Sequence, residues 1–175
     1  MSRDLADTAL RGLAPSCQPG ATVLILGSMP GAVSLSQQQY YAHPRNLFWP
    51  IMAGLAGFSA ALPYSERLAA LHASGIALWD VIGSCQRSGS LDSAIRQEQV
   101  NDFAGFFARQ PKLAVIGFNG AKAWQSFKRQ VVPLQLVPDN ITLLPLPSTS
   151  PAHAAMGFSE KLERWHQLTP FLTNR

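Results

Sequence analysis

The sequence predicts an α/β fold: a three-layer α/β/α sandwich with a central four-stranded parallel sheet. Three observations predict it. Four short apolar runs, Ala21–Leu26, Ile76–Ile82, Lys112–Gly117 and Ile141–Leu146, have the length and composition of buried strands. Helical stretches, with apolar side chains three and four residues apart, lie between them, and such alternation calls for parallel strands with helices on both faces. Polar residues crowd directly after each run, where parallel sheets bind their ligands.

The elements follow in order. Met1–Gly20 reads as a short helix plus a loop that packs on the domain. The first strand ends at Gly27, and a loop rich in Gly, Ser, Pro and Gln runs on to His43. Pro44 fits the first position of a helix, where its fixed φ helps and no N–H is needed. Phe48, Ile51, Met52 and Leu55 give that helix an apolar face, and Gly57 ends it. Ser65–His72 carries Leu68 and Leu71 and stops before Gly75. After the second strand, Gly83–Gln99 is a long polar stretch with turn signals at Gly89 and Ser90. Asn101 can cap a helix carrying Phe103, Phe106 and Phe107, which Pro111 stops. Ala121–Arg129 is a helix with Trp124 and Phe127 inward, and Ser159 can cap a last helix with Leu162, Trp165 and Leu168.

Composition narrows the function. The chain has 175 residues, enough for a single domain over 1–175. At 47% hydrophobic and 14% charged it can bury a proper core, which argues against disorder. A net charge of +4 suits a polyanionic partner, although many proteins that bind no nucleic acid share it. Cys17 and Cys85 are too few for a four-cysteine cluster or zinc site. No signal peptide opens the chain and no run reaches the ~18 apolar residues of a membrane helix, so the expected location is cytoplasmic, without membrane contact. The sequence has no H-E-x-x-H, no zinc-deaminase pattern and no G-x-S-x-G, so metal hydrolysis, zinc deamination and serine acylation all lose ground.

Five constellations can carry chemistry. Gly27-Ser-Met-Pro-Gly31 lets backbone N–H groups approach a ligand, or is an ordinary tight turn; it fits neither a Walker A loop nor a dinucleotide fingerprint. Tyr40–Trp49 puts an imidazole, a guanidinium, a carboxamide and four aromatic rings into one short run, which suits a base-stacking pocket as well as a helix start with core aromatics. Phe118-Asn-Gly-Ala-Lys122 follows the third strand. Asn119 offers the donor and acceptor that reading a base edge needs, while Lys122 is a phosphate contact or a solvated helix residue. Leu146–His153 sets three hydroxyls in a proline-stiffened loop, as a phosphate grip or an ST-rich turn. Asp80 could hydrogen-bond at the sheet edge or act as a base, and Asp92 could cap a helix through Ala94–Gln97; both read best as structural.

Taken together and in order, Gly27-Ser-Met-Pro-Gly31, Ala42-His-Pro-Arg-Asn-Leu-Phe-Trp49 and Leu146-Pro-Ser-Thr-Ser-Pro151 resemble the motifs of the uracil-DNA glycosylase superfamily. The first two resemble the mismatch-specific uracil and thymine glycosylases, which carry asparagine where this chain has Ser28. With Leu-Trp-Asp-Val, Gly-Ser-Leu-Asp-Ser and Phe-Asn-Gly added, the chain looks like the hypoxanthine (deoxyinosine) branch, over roughly residues 21–168. The resemblance implies a monofunctional glycosylase with no cofactor and no metal. It would excise a deaminated base, hypoxanthine or uracil, from DNA; a monomer is the default expectation for the chain. It implies Asn46 as the catalytic asparagine, replacing the one lost at Ser28, which stays beside it in the catalytic set. Gly27, Met29, Tyr41 and Asn119 would form the base pocket, with Phe48 as the ring stacked on the extruded base. Ser148, Thr149 and Ser150 would grip the DNA backbone, joined by Arg45, Lys122 and His153. His153 departs from the asparagine of that branch, which leaves its role open. The rival readings are a hydrolase of free nucleosides or nucleotides and a non-catalytic DNA-binding domain.

Overall fold

A computed structural model describes residues 9–173. The four apolar runs form one parallel sheet. Its strands are β2 (Val23–Gly27), β3 (Ile76–Asp80), β6 (Val115–Asn119) and β7 (Thr142–Leu146), in the order β3-β2-β6-β7. Alternation along β2 sorts two cores. Leu24 and Leu26 face one side with Trp79, Phe103, Phe106, Phe118 and Phe127. Val23 and Ile25 face the other with Phe48, Trp49, Ile51, Met52 and Trp165. The first side is covered by α4 (Phe103–Arg109) and α5 (Ala121–Gln130). The second is covered by α2 (Phe48–Ala56), α3 (Tyr64–Ala73) and α6 (Phe158–Trp165). These are the three expected layers.

Packing holds these helices more than capping does. The helix α4 spans seven residues, too short to persist alone. Its Phe103 and Phe106 are each 1% exposed. Each such ring contributes roughly 1.5–3 kcal/mol on burial, against about 1 kcal/mol for a typical hydrogen bond.

The structure departs from the sequence reading at several elements. The polar stretch after β3 is not a loop. β4 (Ile82–Gln86) and β5 (Arg96–Val100) pair antiparallel, with β1 (Leu10–Arg11) on the outer side of β4, as a second, three-stranded sheet. Register shifts between β4 and β5 spoil the period-two alternation that would reveal them. Asp92 caps no helix: a single 3₁₀ turn, Asp92–Ala94, leads straight into β5. Of the N-terminal segment, the described part holds the strand β1 rather than a helix, and its earlier residues lie outside the described ones. A short helix, α1 (Ala32–Gln37), interrupts the loop after β2 and ends at Gln38 in the left-handed region, φ 53°.

Helix starts shift as well. The helix expected from Pro44 begins at Phe48, because Asn46 turns back to His43 through its N–H and caps Phe48 through its side chain. Asp102, not Asn101, caps α4, accepting from the Gly105 N–H at 3.1 Å. Asn101 instead donates to the Asp80 carbonyl at 2.7 Å, fastening the end of β5 to the end of β3. Ser159 lies inside α6, whose N-cap is Gly157.

Asp102→Ala is expected to cost about 1 kcal/mol, the usual loss for an N-cap. Urea unfolding should show the shift, with no change in the site, since Asp102 touches none of it.

Candidate active site

All four parallel strands end at one cavity of about 800 Å³. β2 delivers Gly27, Ser28 and Met29, β3 delivers Asp80, and β6 delivers Asn119; the loop after β7 delivers Ser148, Thr149, Ser150 and His153. Tyr41 and Asn46 enter from the segment before α2, and Lys122 from the first turn of α5. The opposite wall, Ser90–Ser93 with Ile95 and Arg96, belongs to the β4–β5 connection. Two expected residues are not on the lining. Arg45 is exposed outside the cavity. Phe48 is wholly buried, its ring stacked under Tyr41 at 3.9 Å and 23° and bounded edge-on by Trp49 and Trp165. The ring expected to meet the base is therefore core, and Tyr41 is the aromatic face at the cavity.

Asn119 is the brace of the site. Its Nδ2 donates to Thr149 Oγ1 and its Oδ1 accepts from the Thr149 N–H, both at 2.9 Å. The pair joins the end of β6 to the loop after β7, and both groups are buried. Close approach needs Gly120 next door, at φ 95°, where a Cβ would lie 3.1 Å from Ser148 Cβ. Thr149 is 1% exposed with its hydroxyl taken by Asn119, so it serves this brace and has no free face for a phosphate. The loop is pinned further on. Trp165 Nε1 donates to the Pro147 carbonyl at 2.9 Å, and the buried Lys161 ammonium to the His153 carbonyl at 2.7 Å. Ser148 and Ser150 are half-buried and His153 is exposed at the rim.

Asn46 is fixed by its own turn. Its Oδ1 accepts from the Phe48 N–H at 2.9 Å, while the neighbouring Leu47 N–H donates to the Thr149 carbonyl at 3.0 Å. One loop thus ties the Asn46 segment to the Asn119 brace, across separate elements. Ser28, 8% exposed, donates its hydroxyl to Asp92 at 2.6 Å. Met29 packs on Ile82, Cys85 and Ile95, joining the two sheets under the cavity.

Lys122 is half-buried and paired: its ammonium meets Glu98 at 2.9 Å, where Arg129 and Ser126 also converge. Burial pushes the Glu98 carboxyl up, but the hydrogen bonds from Lys122 and Ser126 and the charges of Lys122 and Arg129 outweigh it and hold Glu98 below the usual range.

Asp80, read from sequence as structural, proves to line the cavity at 4% exposure. Burial first, then the negative charge of Asp92, push its carboxyl up to about 7, with Arg87 opposing. Tyr41 carries a backbone φ of 55° and a buried hydroxyl without a hydrogen-bond partner; Asn119 lies close enough to ease its ionisation but outside good bonding geometry. Burial and the nearby Asp80 charge push that hydroxyl far above its ordinary value, so it stays neutral. No sequence signal separated Asp80 from an ordinary strand-end acid, since its significance comes from the cavity around it. Among the described residues, no three His, Cys, Asp or Glu side chains gather where a metal ion could sit.

A parallel sheet whose carboxyl ends meet two asparagines, a buried acid and a serine-rich loop around one cavity has known counterparts. The profile of the uracil DNA glycosylase superfamily matches residues 14–169, and the chain belongs to that superfamily. That makes it a hydrolytic DNA N-glycosylase acting on deaminated bases. Two relatives lie in one branch. A hypoxanthine DNA glycosylase of Methanosarcina barkeri (strain Fusaro / DSM 804) is 38% identical over 114 residues, 65% of this chain and 72% of that protein. One of Methanosarcina acetivorans is 40% identical over the same shares. A solution structure from Methanosarcina acetivorans, described as a candidate uracil DNA glycosylase, superposes with a TM-score of 0.76 at 33% identity, covering 92% of this chain and 99% of that one.

Asn119→Ala leaves the Thr149 N–H and hydroxyl buried without partners, which should destabilise the fold by on the order of 2 kcal/mol. Denaturant midpoints measure the loss. Equal midpoints for variant and wild type would mean the two hydrogen bonds do not hold the loop.

Proposed function

We propose that this protein removes hypoxanthine, and less efficiently uracil, from DNA as a monofunctional glycosylase. The observation that carries the reading is the convergence of Asn46, Asn119 and the Ser148–Ser150 loop on one cavity beyond the carboxyl ends of the strands. The likeness to two hypoxanthine DNA glycosylases supports the choice of base.

The chemistry suits these groups. A base inside a duplex is out of reach, so the nucleotide must be turned out into the cavity, at a cost of a few kcal/mol that is least at a mispair. Tyr41 offers the stacking face, backed by Phe48, and such stacking contributes about 1–3 kcal/mol per base. Breakage of the glycosidic bond passes through an oxocarbenium-like sugar, electrophilic enough for neutral water. A carboxamide is no base near neutral pH, so Asn46 acts by holding that water against the sugar carbon. Its Oδ1 is already fixed by the Phe48 N–H, which sets the side chain's direction before substrate arrives. Asn119, held at both ends by Thr149, keeps a second N–H and a second lone pair for the base. Ser28 lies alongside with its hydroxyl on Asp92, and Gly27 and Met29 floor the pocket. Ser148, Ser150 and His153 at the rim, with Arg45 outside it, meet the DNA backbone.

The same reading has the chain act as one domain and as a monomer in the cytoplasm. Among the described residues, the exposed large apolar side chains, Leu91, Val132, Leu134 and Phe158, fall on three separate segments rather than in one stretch. No helix among the described residues is long and apolar enough to cross a membrane.

Labelled duplexes carrying one deoxyinosine, deoxyuridine or thymine mispair, treated with protein and then alkali, test this directly. Strand breaks at deoxyinosine first are the expected result. Cleavage at no substrate, or release of base from free nucleosides alone, overturns the reading. Asn46→Ala should lower excision by about 100-fold, the scale of a lost positioning contact, while duplex binding persists. Full activity in that variant removes Asn46 from the mechanism.

A further inference from the structure

The cavity holds one buried group that the hydrolysis above leaves unused. Asp80 closes β3 beside Gly27, its register partner at the end of β2. A Cβ on Gly27 would come 2.5 Å from Asp80 Oδ1 and 3.1 Å from the Tyr41 hydroxyl, so glycine leaves the space that the carboxyl occupies. Asp80 Oδ2 is buried with no hydrogen-bond partner. An ionised carboxylate held this way would be strongly disfavoured, whereas a protonated one is tolerated.

Among the described residues, none offers the carboxyl a counter-charge in contact. Asp92, from the 3₁₀ turn, adds a second negative charge. Arg87, at the end of the second sheet's β4, is the opposing cation, but it donates to the Gly89 and Pro30 carbonyls and forms no ion pair with Asp80. Tyr40 and Tyr41, from the segment before α2, both stay neutral. The Asn101 side chain donates to the Asp80 backbone carbonyl and not to its carboxyl.

We propose that Asp80 is the general acid of base excision, giving its proton to the base as it leaves. The proposal rests on the glycosylase reading and adds the group that reading lacks. Neither asparagine can release a proton at neutral pH, and a purine leaves poorly as an anion. In the step, the bond from C1′ to the base nitrogen breaks and its electron pair goes to the base. The Asp80 O–H proton passes to an acceptor atom of the base, N3 or N7 in hypoxanthine. Water adds to C1′ and surrenders a proton, which returns to the Asp80 carboxylate directly or through solvent. The acid is restored, and the products are free base and an abasic sugar.

The sign of the pH dependence follows. The acid form is the active one, so the excision rate should fall as pH rises through about 7, the value burial and Asp92 impose on Asp80. Stability should follow the same window. Between the ordinary value of 3.8 and about 7 the folded chain holds a proton that the unfolded chain has released, so wild type loses stability as pH rises across that range.

Single-turnover excision of deoxyinosine, measured from well below to well above pH 7, tests this with wild type and Asp80→Asn. Wild type should lose about tenfold per pH unit on the alkaline side, as one ionisation requires. Asp80→Asn should be slower by about 100-fold at the acid plateau and flat across the range, with duplex binding retained. An unchanged rate overturns the proposal, and so does a slowed variant that keeps the wild-type slope. If Asp80→Asn fails to fold, the Asp80 carboxyl titration followed by ¹³C NMR in wild type decides. A midpoint that coincides with the bend in the rate profile supports the acid role, and one well away from it refutes the role. A wild-type protein that releases no base at any pH defeats the glycosylase reading, and the acid role falls with it.

Discussion

Two hydrogen bonds between Asn119 and Thr149 hold the site together. They join the last residue of a central strand to a loop that its own turns, Trp165 and Lys161 also help to fix. From Thr149 the connection runs on, through its carbonyl, to the Leu47 N–H and so to the turn that aims Asn46. Three distant pieces of sequence are thereby set in register around one cavity. A neutral amide suits this task, because it satisfies a buried donor and a buried acceptor at once without bringing charge into the core.

The cavity combines that neutral scaffold with one buried acid. Burial acts in opposite senses on the two kinds of group. It makes the Asn119 brace firm, since alternatives in water are excluded, and it favours the protonated form of Asp80, since the charged form is disfavoured. Gly27 is the condition for both Asp80 and Tyr41 to occupy the same small space. The cluster at Glu98 lies on the side where Lys122 enters, with two cations paired on one carboxylate, while the charges that act on Asp80 are those of Asp92 and Arg87.

Much of this was legible in the sequence. The four apolar runs gave away the parallel sheet, since a strand buried on both faces has little choice but to be apolar throughout. The order of glycine, asparagine and serine motifs located the cavity, because strand ends are where such residues can serve a ligand. The second sheet was not legible. Arg96-Gln-Glu-Gln-Val100 has neither a run nor an alternation, and its partner strand is broken by register shifts. That one omission hid the far wall of the cavity and made Asp92 look like a helix cap. Phe48 and Tyr41 could not be told apart from spacing, since which ring lies outside depends on the left-handed backbone at Tyr41. Asp80 looked ordinary because nothing local reveals that its carboxyl lacks a partner.

The central claim is that an extruded deaminated nucleotide occupies this cavity with its sugar turned to Asn46. A crystal structure with a duplex carrying a deoxyinosine made uncleavable by 2′-fluorination tests it most directly. The purine should stack on Tyr41, between Asn119 and Asp80, with C1′ within one water of the Asn46 carboxamide. A purine that remains in the helix, or lies in the cavity with its sugar turned away from Asn46, would contradict it.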